Sequence, residues 1–294
     1  MRPGEIVTAS LDLLMMHDSG GPRRVASRLE QLGAKVWNPE KVVVVSDHFV
    51  PATDLESAEI LALTRRWAQQ QGVRHYDMLG ICHVVLQEGG HVQPGMFCVG
   101  GDSHSPSGGA YGAFMMGVGA TDITAALVTG ELWLKVPQTV RVNWEGALSD
   151  GVSAKDIMLY LCATLGMGNE NQAFEYGGAA VRAMSMSERM VLCNMSAELG
   201  AESGMVAADT TTLAALVEAG RPFAGDIAQW QSDAGATCLA EHSYDAATLA
   251  PQIAAPHSPA NSRAVTEYEP IHIDQGYIGA CTGAKLSDLH MAAR

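Results

Sequence analysis

Four valines in a row, Val42, Val43, Val44 and Val45, constrain the fold more than any other feature of the chain. β-Branched side chains are stiff and suit extended backbone. Successive residues of a strand point to opposite faces, so an unbroken apolar run needs cover on both. That is the situation of an inner strand in a parallel α/β sheet. The run ends in Ser46-Asp47-His48. In open α/β sheets ligands gather beyond the carboxyl ends of the strands. A carboxylate beside an imidazole holds its tautomer and favours its protonated form, as general acid–base chemistry needs. Asp47 could equally cap the helix expected over 55–71.

The stretch 99–120, VGGDSHSPSGGAYGAFMMGVGA, repeats the pattern. An apolar run at 96–99 leads into Gly100, Gly101, Asp102, Ser103 and His104, and the segment after Gly109 reads as a closely packed helix. Asp102 and Ser103 are also residues that cap such a helix. A third histidine, His83, lies in MLGICHVV, read as another strand end, and a Pro94-Gly95 turn returns the chain towards residue 96. At the start, 6–18 reads as one strand running into a loop with His17 and Asp18, followed by a helix over 22–32. His75 and His91 lie in polar surroundings and are expected at the surface.

Further on, a helix over 121–130 ends at Gly130, and 136–142 reads as an edge strand because of Pro137. A change of character at 144–146 suggests a boundary. Ser153 with Asp156 begins a helix to 165, and 175–178 reads as a loop. Ser187 is expected to cap a helix over 188–199 that places Asn194 and Glu198 on one face, with another helix over 209–219. Residues 224–261 are loose. A strand over 271–283 ends in a small-residue turn around Cys281, and a helix begins near 286. The expectation is an α/β protein of layered α/β/α domains with largely parallel sheets: 1–145, 146–265, and an incomplete third domain at 266–294.

A formal net charge of −14 argues against nucleic acid or an anionic membrane as partner, since neutralising phosphates takes clustered Lys and Arg. No apolar run approaches the roughly 18 residues of a spanning helix, and the amino terminus lacks a clean cleavage site. Six scattered cysteines without C-x-x-C do not make a disulfide framework, so the expected location is cytoplasmic.

The ordered motifs VVVVSDHFVPA, GICHVV, CVGGDSHSPSGGAYGAF, GVGATDITAALVTGELWLKVP, GVSAKDIMLY, SERMVLCNMSAELGA, PHSP and IGACTGAK resemble the large subunit of the aconitase superfamily. The likeness covers essentially the whole chain and is strongest to the 3-isopropylmalate dehydratase and homoaconitase branch. It implies a 4Fe-4S hydro-lyase that removes and re-adds water on a small hydroxy-polycarboxylic acid, and a place in leucine biosynthesis. It implies that Cys281 is the first cluster ligand. It also implies three pairs: Asp47 with His48, His83 with Asp102, and His104 with Glu198. Their implied roles are protonating the departing hydroxyl and holding substrate carboxylates. Ser103, Asn194, His17 and Asp18 match other site-lining positions. Two features depart from the family pattern. Cys281-Thr282 continues with Gly283 where the family has Thr-Asn, and only one of the three expected cluster cysteines is present, so the chain looks truncated. The base serine and substrate arginines are expected on a separate small swivel-domain subunit.

Two other readings remain: a mononuclear metal hydrolase using His48, His83, His104 and Asp102, or a non-catalytic domain or scaffold. The leading reading makes three demands on the structure. Asp47, His48, His83, Asp102, Ser103 and His104 should share one cleft. Glu198 should reach His104. Cys281 should be an accessible thiol in a chain that holds no stable cluster alone.

Overall fold

The computed structural model describes residues 1–233 and 235–294. The opening stretch forms two strands, β1 (Ile6–Ser10) and β2 (Leu13–His17), where the sequence suggested one. The break is at Leu11 and Asp12, whose N–H groups donate to the Gly130 and Phe97 carbonyls. After α1 (Pro22–Gln31), β3 (Val42–Ser46) is buried at every residue, as the valine run demands. Helix α2 (Leu55–Gln71) is capped by Asp54, whose carboxylate accepts from Ser57 N–H, so Asp47 is left for another task. It ends at Gly72 in the left-handed region (φ 68°).

The segment around His83 corrects the sequence reading. Strand β4 is Arg74–Asp77, and the chain then turns into α3 (Cys82–Glu88), so His83 sits in a first helical turn. His75 and His91 are not surface residues either. His75 Nε2 meets Ser46 Oγ at 2.9 Å, and buried His91 meets the Tyr76 hydroxyl at 2.6 Å. Strand β5 (Phe97–Gly100) leads through a 3-10 turn (Ser105–Tyr111) into β6 (Phe114–Gly117), where a helix was expected. A Cβ at Gly109 would overlap the Gly204 carbonyl oxygen, so glycine there permits backbone-to-backbone contact with the second half.

These strands form one parallel sheet in the order β4-β3-β2-β5-β6. Leu14, Met16, Val42 and Val44 face a core shared with α1, α2 and α4 (Ala120–Thr129). Leu13, Met15, Val43 and Val45 face a second core that runs on into the other half. The period of two thus sorts adjacent residues into two cores, each side chain adding about 1.5–3 kcal/mol by burial.

Strand β7 (Glu131–Lys135) pairs antiparallel with β1. Strand β8 (Gln138–Glu145) then opens the second sheet, lying between β9 (Gln172–Gly177) and β11 (Ala240–Asp245). It is therefore an inner strand. Pro137 precedes its first residue and removes no ladder bond, since Gln138 N–H donates to Asn171 O. The loop expected at 175–178 is largely the end of β9. Helix α5 (Ala154–Leu165) begins at Ser153 and Asp156 as read. After α6 (Ala179–Ala183), α7 (Met186–Asn194) is capped by Ser185 rather than Ser187, in a reciprocal box with Glu188. It tightens into a 3-10 turn at Met195–Ala197 instead of running to 199. Strand β10 (Ser203–Val206) follows, and Ser203 Oγ–H donates to Met115 O on β6, joining the edges of the two sheets.

Helix α8 (Thr210–Glu218) is capped by Asp209. Beyond β11, a small pair, β12 (Gln252–Ala254) and β13 (Ser262–Ala264), packs on α5. The strand expected over 271–283 does not form. Ile271 and Ile273 have no ladder partner and are exposed, and α9 (Leu286–Ala292) buries none of its residues. No helix among the described residues is long and apolar enough to cross a membrane.

Candidate active site

Three parallel strand ends converge here. His17 and Asp18 follow β2, Asp47 and His48 follow β3, and Asp102 follows β5. Asp18 is fully buried and accepts from the backbone N–H of Ser19, His48 and Phe49 at 3.0–3.1 Å. Its carboxylate therefore fixes the loop that carries His48. Asp47 accepts from His48 Nδ1 at 2.7 Å and from Cys82 N–H at 2.6 Å, tying the end of β3 to the start of α3. That tie delivers His83 to the cleft.

Asp102 is the hub. Its Oδ1 lies 2.8 Å from His83 Nε2 and accepts from His104 N–H at 2.8 Å. Its Oδ2 lies 3.6 Å from both His48 Nε2 and His17 Nε2, and His104 Nδ1 is 3.7 Å from Oδ1. The rings of His17 and His48 stack at 3.9 Å, tilted by 15°. His17 also meets Gly101 O at 3.0 Å. Ser103 Oγ lies 3.1 Å from His104 Nδ1, and on the opposite nitrogen Glu198 Oε1 lies 3.1 Å from His104 Nε2. This last contact spans the two halves, because Glu198 follows the 3-10 turn after α7. Buried Asn194 projects its amide to Cys281, with Nδ2 3.3 Å from Sγ. Nine of the eleven residues singled out in the sequence are thus joined by direct contacts, and the other two, Asn194 and Cys281, meet each other.

The charges follow from this crowding. Burial pushes the Asp102 carboxyl up, but bonds from His104, His48 and His83 outweigh it and hold the group well below the carboxylate range. Asp47 is lowered in the same way, with His48 and Cys82 N–H overcoming burial. Asp102 and Asp47 raise His48 to about 10 against its burial, and Asp102 followed by Glu198 raises His104. His17 goes the other way, lowered by burial and by His48 stacked on it. His48 is therefore cationic at neutral pH, while His17 and His104, on the same anionic centre, are pushed in opposite directions. His83 Nδ1 is buried and meets no partner among the described residues.

One atom each from His17, Asp18, Asp47 and His48 lie within 4.8 Å of one another. Those groups are already engaged: Asp18 by three backbone donors, Asp47 by His48 and Cys82, and His17 by Gly101. A 4Fe-4S cluster calls for several thiolates. Cys82, Cys98, Cys162 and Cys193 are buried in the cores, and Cys238 lies in the loose segment before β11. Cys281 alone among the described cysteines stands at the cleft unburied. The donor set of this chain does not fit a cluster held by its own residues. Burial raises the Cys281 thiol, partly offset by its bond to Asn194.

Two charged groups lie outside the sequence-predicted set. The side chain of Lys285 is 5% exposed, and its ammonium donates to Cys281 O at 3.0 Å and lies 3.7 Å from Asp288. Burial lowers its affinity for the proton. A lysine four residues after the cysteine was the available signal. Arg189 was also missed: fully buried, it grips Asp209 through two 2.8 Å bonds and fixes α7, which carries Asn194.

Residues 2–294 match the Aconitase family (aconitate hydratase). The chain is 45% identical to 3-isopropylmalate dehydratase large subunit 1 of Methanopyrus kandleri, over 99% of the chain and 69% of that relative. It is 40% identical to the probable 3-isopropylmalate dehydratase large subunit of Methanosarcina mazei, over 100% of the chain and 71% of the relative. A probable methanogen homoaconitase large subunit of Methanothermobacter thermautotrophicus is 38% identical, over 99% of the chain and 69% of the relative.

Proposed function

The chain belongs to the aconitase family, and from that membership we propose that it is the large subunit of a hydro-lyase acting on a small hydroxy-polycarboxylic acid of the 3-isopropylmalate kind. The Asp102 hub carries the reading: one carboxylate lies within 2.8–3.7 Å of four imidazoles on four segments of the chain.

Dehydration breaks a C–O and a C–H bond. The departing hydroxyl needs a proton to leave as water, and a polyanionic substrate needs cations around its carboxylates. His48, raised to about 10, and His104, raised by Asp102 and Glu198, serve these needs, one as proton donor and the other as carboxylate partner. His83 donates Nε2–H to Asp102 and locks that carboxylate in place. Ser103 and Asn194 offer hydrogen bonds at the rim, and His17 with Asp18 shapes the wall. Lys285 is placed to add a cation near Cys281. We assign the base that takes the C–H proton to a small partner subunit, in keeping with the "large subunit" names of the relatives. The 4Fe-4S cluster expected of the family would need ligands beyond Cys281. Six free cysteines suit the reducing cytoplasm, and the reaction fits leucine biosynthesis.

Calorimetric titration of the chain with 3-isopropylmalate, and in parallel with a longer tricarboxylate, tests the reading. Saturable binding weakened at least about tenfold by Asp102→Asn is expected, given the strength of charge-assisted contacts. Binding of neither acid, or equal binding by the variant, would overturn it.

A further inference from the structure

The opposite end of the first sheet carries a second concave feature. Strands β3 and β4 run parallel with Val43 beside Arg74 and Ser46 beside Asp77. Arg74 therefore stands at the amino end of the sheet, while Asp47 and His48 leave the carboxyl end. A cleft of about 540 Å³ opens there, lined by Glu40, Gly72, Arg74, His91 and Arg221 among others. It straddles the two halves, because Arg221 follows α8.

Both arginines are anchored. Arg74 is held in the β3–β4 ladder. Arg221 N–H donates to Leu216 O at 2.9 Å, and its carbonyl accepts from Gln93 Nε2 at 3.2 Å. Its stem lies on Gly90, where an added Cβ would come within 3.0 Å of Arg221 Cβ and 3.1 Å of Cδ. In the same cleft, buried His91 is tied to the Tyr76 hydroxyl at 2.6 Å. Burial and the two guanidiniums hold His91 down to about 4, so it is neutral at pH 7 and the positive charge of the cleft is that of the arginines.

Arg23, Arg65, Arg141 and Arg189 each meet a carboxylate. Among the described residues Arg74 and Arg221 meet none, and Glu40, in the same cleft, pairs with neither. Other exposed arginines are also unpaired. These two differ in facing one cleft and one buried imidazole. A net charge of −14 gives the rest of the surface little attraction for anions, so the focus is local.

We propose that this cleft binds a small doubly charged oxyanion, with the phosphate or dicarboxylate ligand held between Arg74 and Arg221 and bridging the two halves of the chain. The planar guanidinium fork matches such groups in geometry as well as charge. The site is separate from the Asp102 cleft.

The full chain with isotope-labelled histidine, titrated separately with inorganic phosphate and with malonate at constant pH and ionic strength, tests this by NMR. His91 ring signals should move saturably with at least one titrant, and comparison of the two separates phosphate from dicarboxylate. Arg74→Gln or Arg221→Gln should weaken binding about tenfold or more. Glu40→Gln should strengthen it several-fold by removing a competing carboxylate, and added sodium chloride should weaken it. Unmoved His48 and His104 signals in the variants show that they remain folded. The proposal falls if His91 does not respond saturably to either anion, or if both arginine variants bind as tightly as the parent chain.

Discussion

The end of the first sheet and the segment around Cys281 both bear residues marked out by the sequence, yet they are held in opposite ways. At the sheet, Asp18, Asp47 and Asp102 are gripped by backbone N–H groups and imidazoles from separate elements, with the valine core beneath. Around Cys281, the chain from 269 to 280 is almost wholly exposed, and the segment is tied by Asn194 at Cys281 and Lys155 at Thr282, with Lys285 bonding back to Cys281 O within it. A strand end inherits its geometry from the sheet, whereas an irregular segment is held by the few bonds it makes itself. Charge networks on the first should therefore be costly to break, and those on the second cheap.

Breaking the hub should give the largest effect. Asp102→Asn leaves His48 and His104 without their shared anion, and removing one partner of a largely buried pair costs about 3 kcal/mol. Urea unfolding should show that loss, whereas Glu198→Gln, at the half-exposed joint between the halves, should lose about 1 kcal/mol. A reversed order would mean that docking of the halves, and not the strand ends, holds the site.

The pH dependence sharpens the contrast. His48 and His104 are raised in the folded chain, so their contribution is fully present below about pH 6.5, the ordinary histidine value. It is lost as pH rises, for His48 through about 10. Asp102 and Asp47 are lowered, so their contribution is present above about pH 4 and is lost on acidification. Because the His48 side chain is 38% exposed, its alkaline loss is discounted to on the order of 1 kcal/mol. Unfolding free energies from urea at pH 6 and pH 10 should differ by that amount in the parent chain, and by less in His48→Gln. An equal fall in both would sink the assignment of His48 as the titrating group.

What was legible in the sequence follows the same division. Four valines and a trailing Asp-His suffice to place a buried parallel strand and its reactive end, because periodicity and burial are local consequences of side-chain type. The sequence around His83 reads as a strand because ICHVV is apolar in either period, and only the Asp47 bond to Cys82 N–H reveals a helix start. Pro137 marked an edge that is not there, since a proline just ahead of a strand spares the ladder. Nothing local marks His91 as buried, because Tyr76, its partner, comes from a different element. Ile271 and Ile273 showed a strand pattern, but a strand needs a neighbour, and a pattern carries no information about whether one is there.

The smallest expected effect lies at Cys281, and it tests the loosely held side of the contrast directly. Cys281→Ser removes one hydrogen-bonded thiol from a half-buried position, so stability should change by no more than about 0.5 kcal/mol. Thiol chemistry should nonetheless single the residue out. Cys82, Cys98, Cys162 and Cys193 are buried, so native chain treated with a thiol-reactive disulfide should release the signal of Cys238 and Cys281 only, and the full six after unfolding. Burial raises the Cys281 thiol, so its reaction should be slow at pH 7 and quicken towards pH 9. Asn194 works in the opposite direction, its amide favouring the thiolate. Asn194→Ala should therefore slow Cys281 further at pH 7 while leaving Cys238 unchanged, because Cys238 has no contact with Asn194. Faster Cys281 labelling in that variant would show that Asn194 shields the sulfur more than it activates it, and would place Cys281 with the tightly held residues of the cleft.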